Sequence, residues 1–385
     1  MYSHFTAFQM RLFLIGASCF TQLNAQQLQS QPSVKKDTIK KTVSFVKNIK
    51  AGALLVSEYR SSLTENVDMY GKHSSTGTDA RDGLFLRYVR LSGNYQISDK
   101  MSASVLVNLA DFKNNPQTRV LENAFIKYTF NKYAVLYIGQ FRPFFGIEDM
   151  YPYEVRHSYV WSNQYEEFGR NGWQSFQLGL GLSGSLADKG IPITYYVSAV
   201  NGNGKNMTGD NDRNKDLTGR VEYQVNKHLK VGINGGTGRY DHQTGTAYGI
   251  DMQGEMPLAS KWILAMDAEY KNGTNFNEYI ASKVVDKKLG DYRMGGVYFT
   301  PSVKYNIGLS RVKALEFSTR YEYFEQLIPN GNPRTTITPF FGILLDDNYA
   351  ARLSFGMVFD RYKRQVENSN QWNANFFFTQ FQFKF

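Results

Sequence analysis

The feature that most constrains this chain is a two-residue period in apolarity that recurs from Ile49 to the last residue. It is plainest in residues 375–385, where Phe377, Phe381, Phe383 and Phe385 share one parity with Thr379, while Gln380, Gln382 and Lys384 share the other. Successive side chains on an extended strand point to opposite faces. The stretch therefore presents a row of phenylalanines on one side and polar groups on the other. In water the aromatic row is an aggregation hazard. Against lipid it is the outer side of a strand, which sends Gln380, Gln382 and Lys384 inward.

Other segments obey the same period. Val89, Leu91, Gly93, Tyr95 and Ile97 alternate with Arg90, Ser92, Asn94 and Gln96, and Ile126, Tyr128 and Phe130 alternate with Lys127 and Thr129. Trp262, Leu264, Met266, Ala268 and Tyr270 stand opposite Asp267, Glu269 and Lys271. Leu315, Phe317, Tyr321 and Tyr323 stand opposite Glu316, Ser318, Arg320 and Glu322, and Leu353, Phe355, Met357 and Phe359 opposite Arg352, Ser354 and Asp360. Each segment alone also fits a soluble sandwich, with a core on one side and water on the other.

Three observations favour the membrane. Residues 1–25 read as a secretory leader: Arg11 supplies the positive charge, residues 12–20 the apolar stretch, and Leu23-Asn24-Ala25 a cleavage site. Aromatics recur near strand ends, at Tyr95, Phe130, Phe141, Tyr270 and Tyr323, where an interfacial girdle needs them. Connections alternate between short ones, at Asn131-Lys132 and Asn226-Lys227, and long ones, at 142–173, 201–216 and 271–293. Short turns on one side and long loops on the other are the habit of outer-membrane barrels. A mean hydropathy of −0.43 with 26 Tyr and 28 Phe fits alternating lipid and lumen faces and excludes a bundle of spanning helices.

The expected fold is all-β, an antiparallel transmembrane barrel over residues 49–385 with about 16 strands of ~9–11 residues each. Residues 335–345, interrupted by Pro339, leave open whether they form a strand or a loop. Residues 26–48 are polar and rich in lysine, as befits a periplasmic extension. A barrel of this circumference leaves an aqueous channel.

No motif specifies a reaction. Gly179-Leu-Gly-Leu-Ser-Gly184 matches a dinucleotide pattern, but no helix follows it, so it reads as small lumen-facing residues in a strand. Asp210-Asn-Asp-Arg-Asn214 begins like a calcium loop and then departs from it at Lys215 and Val221. No metal, no cofactor and no nucleic-acid partner is called for. His157 and His242 keep a barrel lipase open as an alternative, although neither has a nucleophile motif beside it.

The informative stretch is Gly139-Gln-Phe-Arg-Pro-Phe-Phe-Gly-Ile-Glu148 and the long connection after it. Pro143 ends the strand, and a connection this long is built for a purpose. Arg142, Arg156 and Arg170, beside Glu148 and Asp149, are candidates for a constriction if the connection folds into the lumen. If it stays outside, it is a lid against a neighbouring subunit or lipopolysaccharide. The charges on the inward parity are Arg90, Lys127, Arg220, Arg320 and Arg352, with acids including Asp267 and Glu322, so the signs nearly balance.

At these residues the chain resembles the phosphate-selective porin O and P family. The stretch 139–148 is similar to the family's Gly-Gln-Phe, basic, x-Pro-Phe-Gly-x-Glu signature with one phenylalanine added, Phe144 or Phe145. Phe85-Leu-Arg-Tyr-Val-Arg-Leu91 resembles an early family strand with Arg87 displaced. Asn201-Gly202, with Asp210, Asp212, Asn214, Lys215, Asp216 and Arg220, resembles a second stretch, and Arg320-Tyr321-Glu322 a late strand. The resemblance implies a trimeric outer-membrane channel for passive diffusion of small solutes or anions. It also implies that Phe381, Phe383 and Phe385 belong to the signal read by the barrel-assembly machinery. The family's basic lumen ladder has no residue-by-residue counterpart here. A substrate-specific channel is the alternative.

Overall fold

The computed structural model describes residues 48–110, 120–155, 157–158, 160–207, 213–240, 242–329 and 331–385. The leader and nearly all of the polar extension lie outside the described residues, as do Arg156 and residues 208–212 of the calcium-like loop. Among the described residues sixteen strands follow one another around a closed barrel. They are β1 (Ile49–Ser62), β2 (Asp82–Ser98), β3 (Met101–Asn108), β4 (Leu121–Asn131), β5 (Ala134–Phe141), β6 (Gln177–Ser185), β7 (Ile193–Val200) and β8 (Asp216–Asn226). Then come β9 (Leu229–Tyr240), β10 (Gln243–Pro257), β11 (Trp262–Thr274), β12 (Arg293–Asn306), β13 (Ala314–Ile328), β14 (Arg334–Leu344), β15 (Ala351–Tyr362) and β16 (Ala374–Lys384).

Closure joins the first strand to the last. β1 runs antiparallel to β16 in a register from Leu54 opposite Lys384 to Ser62 opposite Phe376. An open edge in hydrocarbon would leave a row of backbone donors and acceptors unpaired, each at a cost of several kcal/mol. The aromatic row of the last strand faces outward as expected, with Phe381 and Phe383 exposed. The other face differs from the expectation: Phe376 and Phe378 are buried inside beside Val358 and Phe340, in addition to Gln380 and Gln382.

The turns at one end are short for a local reason. In both the β4–β5 and β8–β9 turns an asparagine accepts a backbone N–H two residues on, Asn131 Oδ1 from Tyr133 and Asn226 Oδ1 from His228, each at 2.8 Å. This Asx geometry closes a turn without further residues. Long connections gather at the opposite end, with two short exceptions at 241–242 and 329–333. The connection expected at 271–293 is shorter than the sequence suggests, because β11 continues to Thr274 and keeps Lys271 in the wall.

Residues 335–344 of the stretch 335–345 are strand, within β14. Pro339 pairs with Thr319 of β13, while the ladder to β15 skips Thr338 and Pro339. The missing N–H costs one rung, and the extended backbone continues through it. The glycine-rich stretch 179–184 is strand as well, in β6.

Outward residues are apolar around the wall; Ile250 on β10, between Ile233 and Tyr270, is 55% exposed. Ile250→Arg is expected to destabilise the barrel by about 2–4 kcal/mol, the cost of a cation near the bilayer midplane. Urea unfolding in lipid vesicles measures this; an unchanged midpoint would contradict a lipid-facing Ile250.

Candidate functional site

Residues 142–176, between β5 and β6, fold into the lumen. Their path begins where Pro143 ends the ladder of β5. Gly146 then adopts φ 89°, and a Cβ there would run into Glu269, Lys271 and Gln174. Glycine lets the backbone come that close: Gly146 N donates to Asn234 Oδ1 and Ile147 N to Glu269 Oε1, both at 2.9 Å. A short helix α1 (Asn163–Arg170) follows, with Ser162 as its N-cap accepting from Tyr165 N at 3.1 Å.

The segment carries its own apolar clusters. Phe145, Phe168 and Trp173 pack against Ala247, Met294 and Phe324 of β10, β12 and β13. Tyr153, Trp161 and Tyr165 pack against Leu54 and Val56 of β1 and Tyr88 of β2. It therefore reaches from wall to wall. Burying these side chains stabilises the arrangement by roughly 1.5–3 kcal/mol each.

Charged wall residues hold the segment's backbone. Arg320 donates to the carbonyls of Val160 and Trp161 at 2.5 and 3.1 Å, and Glu322 accepts from Asn163 N at 2.6 Å. Arg320 and Glu322 also pair with each other at 2.7 Å. Lys271 pairs with Glu269 at 2.9 Å, both wholly buried, and donates to Gln174 Oε1 at 2.6 Å. On β16, Gln380 donates to Tyr153 Oη at 3.3 Å and Gln382 to the Glu154 carbonyl at 3.1 Å.

Cavities remain on both sides of this segment. Towards the short-turn end a recess of about 480 Å³ lies between the segment and the wall formed by β1–β5, β7 and the end of β16, bordered by Arg90, Phe125, Tyr137, Phe141, Arg142 and Asp149 among others. Towards the long-loop end a vestibule of about 400 Å³ is lined by Arg170, Arg320, Arg334, Glu166, Glu322 and Asp360 among others.

Comparison with known proteins follows the same architecture. The family model of the phosphate-selective porins O and P matches residues 66–151, which include both Phe85–Leu91 and Gly139–Glu148. None of the curated proteins compared matches the chain. Among solved structures, a loop L8 deletion mutant of OmpT, an outer membrane protein of Vibrio cholerae, superposes with TM-score 0.56 at 12% identity, covering 88% of this chain and 99% of that one. The chain shares the closed-barrel fold of this outer membrane protein. The outer membrane channel DcaP of Acinetobacter baumannii superposes on the same barrel with TM-score 0.55 at 12% identity, covering 88% and 97%. An anion-selective porin from Comamonas acidovorans does so with TM-score 0.55 at 10% identity, covering 88% and 99%.

The residues expected at a constriction separate into three environments in this barrel. Arg142 and Asp149 border the recess together. Glu148 is buried within the segment, where its carboxylate accepts from Ser162 N at 3.1 Å and from the Ser162 hydroxyl. Arg170 stands in the vestibule, its side chain 69% exposed and paired with Glu167 at 3.1 Å. Arg156 lies outside the described residues.

The inward-parity charges do face in, but most have partners. Arg220 pairs with Asp251 and with Glu222, Arg352 with Glu316 at 3.6 Å, and Arg90 with Glu122 at 2.7 Å. Asp267 is buried and accepts from Tyr151 Oη at 3.5 Å. Lys127 shares the parity of Asn123 and Phe125, which border the recess. Glu122 escapes the alternation rule: Leu106 pairs with Asn123 and Val107 with Leu121, so a bulge brings Glu122 in beside its neighbour. Glu58 on β1, partner to Arg60 and Arg87, is a second inward acid that the sequence reading passed over.

Lys271→Met leaves Glu269 as an unpaired buried charge, a change that costs about 3–5 kcal/mol. The exposed Arg170 offers a trypsin site whose cleavage tracks local opening of the segment. Lys271→Met should raise that cleavage rate about tenfold or more, and adding Glu269→Gln should restore most of the protection. Equal rates in all three proteins would show that the pair does not hold the segment.

Proposed function

We propose that this chain is a passive channel of a Gram-negative-type outer membrane, admitting small hydrophilic solutes and ions past the segment 142–176. The observation that carries this is a closed sixteen-strand barrel with a charged inner face and a segment crossing its lumen. The similar structures are described as an outer-membrane channel and an anion-selective porin, which supports the same role. Phe381, Phe383 and Phe385 serve as the assembly signal, lipid and lipopolysaccharide surround the barrel, and three copies associate.

Ion preference is weak at neutral pH. Arg220, Arg320 and Arg352 each face a carboxylate, so they do not act as a free basic ladder for phosphate. Arg142 and Asp149 are the constriction residues of this channel. Catalysis has less support. His157 donates or accepts through Nδ1 with Glu316 at 2.5 Å, while the Ser318 hydroxyl donates to the His157 carbonyl and not to its ring. Among the described residues no serine or threonine hydroxyl bonds the ring of His157 or His242.

In planar bilayers the purified chain should give ohmic single channels in KCl whose current does not saturate with salt. Absence of channels from a correctly folded, heat-modifiable protein would remove the proposal.

Acid should make the channel more anion-preferring. Burial pushes the Asp149 carboxyl up to about 7, against the opposing pull of Arg142, Lys271, Gln174 and Tyr165. Below that value Asp149 is neutral and no longer offsets the Arg142 charge beside the recess. The reversal potential in a KCl gradient should therefore shift towards anions between pH of about 8 and about 6. His157, raised by its bond to Glu316 although burial opposes the rise, titrates upward of its ordinary range too. Asp149→Asn separates the two: it should flatten the shift, and an intact shift in that variant would assign it elsewhere.

A further inference from the structure

We propose that the recess under the segment binds a small carboxylate carried on a planar apolar body, an aromatic monocarboxylate in its simplest form. The proposal rests on the channel reading only for the ligand's route of arrival.

The wall of the recess is aromatic. Phe144 sits at its centre, with ring centroids 5.5 Å from Tyr137, 5.6 Å from Phe141 and 5.2 Å from Tyr196. Phe125 continues this wall, 5.8 Å from Tyr137. Phe144 belongs to the doublet by which the chain departs from the family signature. Its neighbour Phe145 points the other way, into the segment's core with Phe168 and Trp173. The added residue therefore lets one phenylalanine anchor the segment while the other faces the recess.

One cation of the recess has no carboxylate in contact with it, although Asp149 acts on it at longer range. Arg90 is paired with Glu122, and Lys384 with Glu154 at 2.8 Å. Among the described residues no carboxylate pairs with Arg142. Its guanidinium reaches only the Glu148 carbonyl, at 3.4 Å, and lies 5.0 Å from the rings of both Trp161 and Phe176. Asp149, on the same recess, accepts from Tyr165 Oη and Gln174 Nε2, both at 3.1 Å, rather than from Arg142.

These features select among ligand classes. A guanidinium fork held between two rings takes a carboxylate bidentately, and the aromatic wall offers π faces to a flat body. Phosphate needs several charge-assisted donors, and the recess supplies one unpaired cation. A sugar would leave hydroxyls unsatisfied against phenylalanine. An organic cation would meet Arg142. The volume of about 480 Å³ is in the range of small-molecule sites.

Benzoate is the probe, with acetate and inorganic phosphate as comparisons, and two readouts are used on the full chain. Benzoate should block the KCl current saturably, and in detergent it should change the fluorescence of Trp161, which touches Arg142, with loss of the change in Trp161→Phe. Arg142→Gln should raise the half-effect concentration about tenfold or more, and Phe144→Ala about three- to tenfold. Arg142→Lys, which keeps the charge and loses the fork, should fall between wild type and Arg142→Gln and serves if the glutamine variant does not fold. Acetate or phosphate acting as strongly as benzoate, or benzoate acting equally on Arg142→Lys and wild type, would overturn the proposal. Benzoate binding by fluorescence without any KCl current would sustain the recess and remove the channel reading. A KCl current with no response to benzoate in either readout would do the reverse.

Discussion

Every backbone polar group of a strand in hydrocarbon must find a partner within the protein, and the pairing of β1 with β16 is the bond on which this barrel depends. Once the sheet closes, side chains can only point to lipid or to lumen. The aromatic row of Phe381 and Phe383 is then settled on the outside, and Gln380 and Gln382 on the inside, by parity alone. What parity does not settle is what the inward groups touch.

Here they touch protein. Taking an ion out of water costs several kcal/mol, and a buried arginine or glutamate of the inner wall is tolerated when it is paired and hydrogen-bonded. Charge-assisted hydrogen bonds contribute about 1.5–3 kcal/mol each. Arg320 and Glu322 satisfy one another and then use their remaining donors and acceptors on the backbone of residues 160–163. Glu269 does the same for Ile147 and Lys271. A segment without these partners would present unpaired amides to the lumen, and a wall without the segment would present poorly satisfied charges. Each explains the other, and together they determine where the segment sits.

The barrel was legible because its cause is local and repeated: two-residue alternation recurs from strand to strand, helped by turn asparagines at Asn131 and Asn226 and by aromatics at several strand ends. Pro339 was ambiguous because a single missing N–H is compatible with either a loop or a strand that loses one rung. The insertion of residues 142–176 was readable as a possibility from Pro143 and the length of the connection. Its partners were not, since Asn234, Glu269 and Lys271 lie far away in the chain and meet it only after closure. Inward arginines looked like a channel lining for the same reason: periodicity reports the face of a side chain and nothing about its neighbour. Glu122 was missed because a bulge breaks the period on which the reading relied.

The central claim is that residues 142–176 narrow the lumen of a closed barrel. Its most direct test is single-channel conductance of a variant in which residues 146–174 are replaced by a short Gly-Ser link, compared with the intact chain in the same lipid and salt. A severalfold larger conductance, with the barrel's heat-modifiable fold retained, is the predicted result. A folded variant whose conductance equals that of the intact chain would contradict the claim and place the segment outside the path of the ions.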